Sequence, residues 1–325
     1  MKLNRSVLDI DCTAEVERIC NRMVDIVARD QRRRGVIIAL SGGVDSSVCG
    51  ALATKAFGPK KVFGLMLPER DSKSTSKDLG VRVAEQLGIE FTVENIGPTL
   101  DAIGCYRWRD EAMRRVFPAY DEHWKSKIAI AGGAMGRINF FKLIAQSPDG
   151  QVHEARLPIH EYLQIVAATN FKQRIRKTVE YFHADRLNYA VIGTPNRLEY
   201  DQGFFVKNGD GAADLKPIAH LYKTQVYALA RHLNLPEEVC NAMPTTDTYS
   251  LQQGQDEFYF SLPYDKMDIA LWAHNHQVSV DELAAYLDVD AARASYIYSD
   301  IESKRRATTY LHARPALIER VAEIR

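Results

Sequence analysis

The residues best suited to chemistry stand in one short run, Ser41-Gly42-Gly43-Val44-Asp45-Ser46-Ser47. Two adjacent glycines let a backbone approach a ligand closely and adopt a positive φ where a turn needs one. The serine hydroxyls and the N–H groups of a helix start would surround an anion there, with the positive end of the helix dipole behind them. Asp45 is out of place in such a cradle unless it holds a metal ion that phosphates share. The pattern is not G-x-x-x-x-G-K-[ST], because no lysine follows the glycines. A second polar loop runs from Thr194 to Glu199, and Lys223 stands at a helix opening. The histidines have no metal-ligand spacing and are given no role.

The elements that must position these groups follow from apolar periodicity. Val36 to Leu40 is an unbroken apolar run, which reads as a strand buried on both faces. An apolar helix from Asp45 to about Phe57 follows, and an amphipathic helix over about Thr13 to Ala28 precedes it. Further strands are expected over Lys60–Leu67, Glu90–Asn95 and Tyr189–Gly193. Helices fall between them: one carrying Val81, Ala84 and Leu87 and stopped by Gly88, and one from Asn170 to about Ala184. Another helix is expected over Tyr222–Arg231. This alternation predicts the α/β class, a doubly wound parallel sheet with ligands at the carboxyl ends of its strands.

From about Gly104 to Ala168 the alternation breaks. Ser147-Pro-Asp-Gly150 between two β-prone runs is a hairpin signal. The chain therefore reads as one domain over 1–325, with a helical and hairpin insert at about 105–168, the hairpin itself at 139–157, and a helical tail over about 237–325.

Composition narrows the class. Hydrophobic residues at 46% and charged residues at 26% are those of a soluble globular protein. Lysine plus arginine equals aspartate plus glutamate at 42 each, so no global field argues for nucleic acid or a membrane surface. No apolar run approaches a membrane span or a signal core. The five scattered cysteines lack a C-x-x-C pair and read as free thiols in a reducing, cytoplasmic setting.

The run S-G-G-x-D-S between a buried strand and a helix resembles the pyrophosphate-binding loop of the N-type ATP pyrophosphatases. Four more motifs follow: N-x-x-x-R-x-R at Asn170–Arg176, G-T-x-N-x-x-E at Gly193–Glu199, G-D-G-x-x-D-x-x-P at Gly209–Pro217 and L-x-K-T-Q at Leu221–Gln225. Together, in order and over nearly the whole chain apart from the insert, they resemble the ammonia-dependent NAD synthetase family. That resemblance implies the adenine nucleotide α-hydrolase-like variant of the Rossmann sheet, and a homodimer. It implies ATP-dependent amidation of deamido-NAD to NAD by ammonia, through an acyl-adenylate, with release of AMP and pyrophosphate. ATP is then a co-substrate and Mg²⁺ the cofactor, held by Asp45 and Glu199, which with Lys223 form the catalytic set. ATP would bind along Ala39, Leu40, Ser41, Gly42, Gly43, Val44, Asp45 and Ser46, with Thr194, Lys223 and Thr245. Deamido-NAD would meet Arg174, Lys207, Asp214 and Lys304, and Gln255–Glu257 would lie in a loop over the site.

Three departures from the family pattern stand out. Ser303 replaces a usual histidine, Thr246–Tyr249 replaces an apolar continuation, and the insert is longer than the reaction needs. They leave room for a ligase acting on a different carboxylate, and for a catalytically silent nucleotide-binding protein. The retained set of Asp45, Glu199 and Lys223 speaks against the silent reading. With no glutaminase-like stretch ahead of Val36, nitrogen is expected as free ammonia or from a separate amidotransferase.

Overall fold

Helix α1 (Cys12–Val24) begins where the Asp11 carboxylate accepts the N–H groups of Thr13 and Ala14, and it buries Val16, Ile19, Cys20 and Met23. It continues into one wider turn over Asp25–Asp30. In the computed structural model, which describes residues 3–131, 140–242, 249–251, 259 and 262–323, this helix backs the first strand. Strand β1 (Val36–Ala39) is followed after four residues by α2 (Val44–Phe57), then β2 (Val62–Met66) and α3 (Ser74–Leu87). Gly88 ends α3 in the left-handed conformation, as its position after Leu87 predicts. Strand β3 (Glu90–Val93) completes the first half, and α4 (Gly97–Ala102) and α5 (Cys105–Val116) follow.

The insert is larger than a hairpin. Strands β5 (Phe140–Gln146) and β6 (Val152–Arg156) are the expected pair, but β4 (Lys125–Ala131) joins β5 to make a three-stranded antiparallel sheet. Helix α6 (Ile159–Leu187) begins well before Asn170, so the last part of the expected insert is already helix. It packs along α5 and carries the core back to β7 (Ala190–Val191). That last strand is shorter than expected: Ile192 still donates its N–H to the Ile37 carbonyl of β1 at 3.0 Å, and on its other side it forms an isolated parallel bridge with Leu215.

The main sheet runs β3-β2-β1-β7, all parallel. The chain winds outward from β1 to β3 and then returns to the far side of β1. The topological switch point therefore lies between the carboxyl ends of β1 and β7, where open α/β sheets bind ligands. Helices α7 (Arg197–Gln202), α8 (Lys223–His232), α9 (Glu237–Asn241), α10 (Tyr264–Asn275), α11 (Val280–Leu287) and α12 (Ala291–His312) follow. One core lies under α1, α2 and α8 and a second under α5 and α6 on the opposite face. The C-terminal helices and the inserted sheet each close a further apolar cluster. Among the described residues no helix is long and apolar enough to cross a membrane, and all five cysteines are free.

Candidate active site

The loop between β1 and α2 is stiffened from within. Gly42 has φ +80°, and a Cβ there would lie 2.5 Å from the Ser76 carbonyl oxygen. The Ser46 and Ser47 hydroxyls donate to the Gly43 carbonyl at 3.1 and 2.8 Å, and Ser41 Oγ accepts from the Gly43 N–H at 3.3 Å. These serines therefore shape the loop, and Ser47 is buried beneath it. Gly43 precedes α2 with no side-chain cap, which leaves the first N–H groups of the helix turned to the cleft.

Asp45, in the first turn of α2, meets two other elements. The Lys223 ammonium at the start of α8 pairs with its Oδ2, and Asn196 Nδ2 donates to its Oδ1 at 3.1 Å. Asn196 also caps α7, accepting the Leu198 and Glu199 N–H groups at 3.0 and 3.2 Å. Glu199 Oε2 answers by accepting the Asn196 N–H at 3.2 Å, so a capping box fixes Glu199 beside the same aspartate. Burial by itself would lower the Lys223 ammonium, but the charges of Asp45 and Glu199 outweigh it and hold the group above its ordinary value. The same two carboxylates add to burial in raising the thiol of Cys49 beneath them. Asn196 stands three residues before Glu199 in the sequence, the spacing of a capping box.

Asp45, Glu199 and Lys223 line a cleft of about 1080 Å³. Every expected ATP-side residue from Ala39 to Ser46, with Thr194 and Lys223, lies on its wall. Thr245 and Gln255–Glu257 lie outside the described residues. On the dinucleotide side, Arg174, Lys207 and Lys304 line the cleft. Arg174 donates to the Lys207 carbonyl at 3.3 Å, and Lys207 Nζ reaches the Tyr310 carbonyl at 2.8 Å over that tyrosine's ring. Lys304 holds Asp300 at 2.6 Å and the Tyr259 carbonyl at 2.7 Å, and burial lowers its ammonium. Asp214 is not brought to this wall. Its carboxylate accepts the Val191 N–H at 2.7 Å and the Tyr181 hydroxyl at 3.2 Å, tying its loop to β7.

Two features were missed by sequence reasoning. The loop after β2 is clamped by Lys172 of α6, whose Nζ meets Glu69 at 3.0 Å and Asp71 at 2.6 Å; Arg109 of α5 holds Asp71 from the other side at 2.6 Å. The inserted sheet, moreover, is a wall of the cleft: Ile130 and Phe141 line it, beside Tyr162 of α6 and Tyr249. The Phe141 and Tyr162 rings stack with centroids 3.9 Å apart. Ser126 of β4 binds the segment carrying Tyr249, donating its N–H to Ser250 Oγ at 2.8 Å and accepting the Leu251 N–H at 3.1 Å.

The family model described as NAD synthase matches residues 15–117 and 142–308. The chain belongs to this family. The NH(3)-dependent NAD(+) synthetase of Rhizobium meliloti (strain 1021) is 55% identical over 98% of this chain and 95% of its own length. Two solved structures share the fold: NMN synthetase from Francisella tularensis, with a TM-score of 0.64 at 21% identity, covering 95% of this chain and 99% of its own. The second is NH3-dependent NAD synthetase from Campylobacter jejuni, with a TM-score of 0.62 at 22% identity over 95% and 100%. Within the family match, the stretch 118–141 that is passed over contains β4 and Phe141.

Proposed function

We propose that this protein is an ATP-dependent carbon–nitrogen ligase that amidates deamido-NAD to NAD with ammonia. The observation that carries the reading is the convergence of Asp45, Lys223, Asn196 and Glu199 on the loop at the switch point of the sheet. A carboxylate oxygen of deamido-NAD attacks the α-phosphorus of ATP, and the bond to the bridging oxygen of pyrophosphate breaks. Lys223 and the N–H groups at the start of α2 stabilise the charge that gathers on the leaving pyrophosphate. The nitrogen of ammonia then attacks the acyl carbon, and AMP departs. Ammonia is taken as free solute or from a separate amidotransferase, in a cytoplasmic homodimer.

Asp45 and Glu199 would hold Mg²⁺. Both offer hard oxygen atoms, both act on Lys223, and Mg²⁺ takes one or two carboxylates together with substrate phosphates. When bound, the ion neutralises phosphate charge as pyrophosphate leaves. Arg174, Lys207 and Lys304 would bind deamido-NAD from the cleft wall, Thr194 would offer its hydroxyl to the nucleotide, and Asp214 would act by fixing β7.

The test is a single turnover with ATP, Mg²⁺, ammonium and deamido-NAD, following AMP and NAD together. Equal amounts of both, abolished by Asp45→Asn, support the reading. ATP bound with neither product formed would overturn it and call for a screen of other carboxylates.

A further inference from the structure

Helix α8 presents Lys223 as its first residue, yet the residue before it is Tyr222, which makes no side-chain cap. Gln225 turns back to accept the Tyr222 N–H at 2.9 Å, but the next two N–H groups have no partner of their own helix. They go instead to one carboxylate 45 residues further along the chain. Asp268 Oδ1 accepts the Lys223 N–H at 3.2 Å, and Oδ2 accepts the Thr224 N–H at 2.7 Å. We infer that Asp268 is a positioning residue for the adenylation step, fixing the direction in which the Lys223 side chain leaves α8 toward Asp45.

The arrangement is more than helix capping. A serine at position 222 would cap α8 without burying a carboxylate. Asp268 is 0% exposed, and burial raises it to about 7 against the opposing pull of the two N–H groups and Lys223. Its gain is rigidity between elements: α10, which carries Asp268, packs against both α8 and α7, the helix that carries Glu199. One helix thus backs the lysine and the carboxylate that face Asp45. Because the carboxylate holds the backbone N–H groups of Lys223 and Thr224, the Lys223 side chain is left to carry its ammonium to Asp45.

The inference rests on the ligase reading, and its test separates the two. Asp268→Asn keeps the shape but turns an NH₂ toward one of the two N–H groups. The expected result is a fall in ATP–pyrophosphate exchange on the order of tenfold to a hundredfold, as for a displaced catalytic group. The KM for deamido-NAD stays unchanged, and so does the thermal midpoint at pH 8, because a buried charge is removed. In a Lys223→Met background the same substitution causes no further loss, since its effect passes through the lysine. An equal loss in both backgrounds, no loss in either, or a loss that tracks a lowered midpoint would each overturn the inference. Wild-type protein without exchange would overturn the ligase reading alone. ATP affinity in the same four proteins, read by calorimetry, then decides the role of Asp268: weakening in the Lys223 background only supports it, and any other pattern overturns it.

Discussion

Replacing Lys172 by methionine removes one buried charge at nearly constant volume. Lys172 is 1% exposed and lies between Glu69 and Asp71, which hold the loop after β2. Without it, Asp71 keeps Arg109 at 2.6 Å, whereas Glu69 keeps the Tyr106 hydroxyl at 2.8 Å and the Asp71 N–H at 3.1 Å. Removing one partner of a buried pair costs about 3–5 kcal/mol, because the charge left behind is neither solvated nor paired. Against a total stability of about 5–15 kcal/mol this is a large fraction, readable as a shift of the urea midpoint. The pH dependence follows from Asp71. Burial pushes its carboxyl up, but Lys172 and then Arg109 pull it further down, so its folded value lies below the ordinary one. Its contribution is present above the unfolded value of about 4 and is lost as pH falls through the folded value. Lys172→Met removes the larger of the two attractions, so its deficit should be full at pH 7 and shrink in acid. Adding Glu69→Gln should restore part of the loss, since the orphaned charge is gone. The KM for ATP should rise as well, because Leu67, Pro68 and Ser72 of this loop line the cleft. A deficit below about 1 kcal/mol, or one that does not shrink in acid, would refute the burial argument.

Gly42→Ala forces a side chain into a left-handed backbone 2.5 Å from the Ser76 carbonyl, so calorimetry should read a loss of ATP affinity; full affinity would sink the close-approach account. Asn196→Ala removes a helix cap, costing about 1 kcal/mol in chemical denaturation, and also frees Asp45, so adenylation should fall further than stability explains. Chelation with EDTA should stop pyrophosphate release and added Mg²⁺ should restore it; turnover undiminished in EDTA would remove the metal role from Asp45 and Glu199.

The first β-α-β unit was legible in the sequence because each signal agreed with the next: a continuous apolar run, paired glycines and an apolar helix. The paired motifs around Asp45, Glu199 and Lys223 likewise predicted a convergence that the fold delivers. Strand β4 was harder to read because the fully buried positions within 125–130, Ser126 and Ile128, include a polar one, which leaves only a weak apolar alternation. The start of α6 lies within the stretch of about 105–168 that reads as insert, although Pro158 leads directly into Ile159. Asp214 shares a loop with cleft residues, yet which way a loop side chain turns is decided by tertiary partners, here Val191 and Tyr181. Lys172 with Glu69, and Asp268 with Lys223, were beyond reach for a plainer reason. Their partners come from distant segments, and no local pattern marks a charge that folding will bury.

The inserted sheet has a consequence for molecules designed against this enzyme. On the proposed function, a compound that only mimics ATP would meet the loop at Ser41–Ser46, a surface within the stretch that the family model matches. One extended across the cleft to the stacked Phe141 and Tyr162 would touch a wall partly built from the stretch that the family match passes over. Selectivity among relatives would then be won at the far end of the inhibitor, away from the phosphates, by how well a flat apolar group seats against two rings.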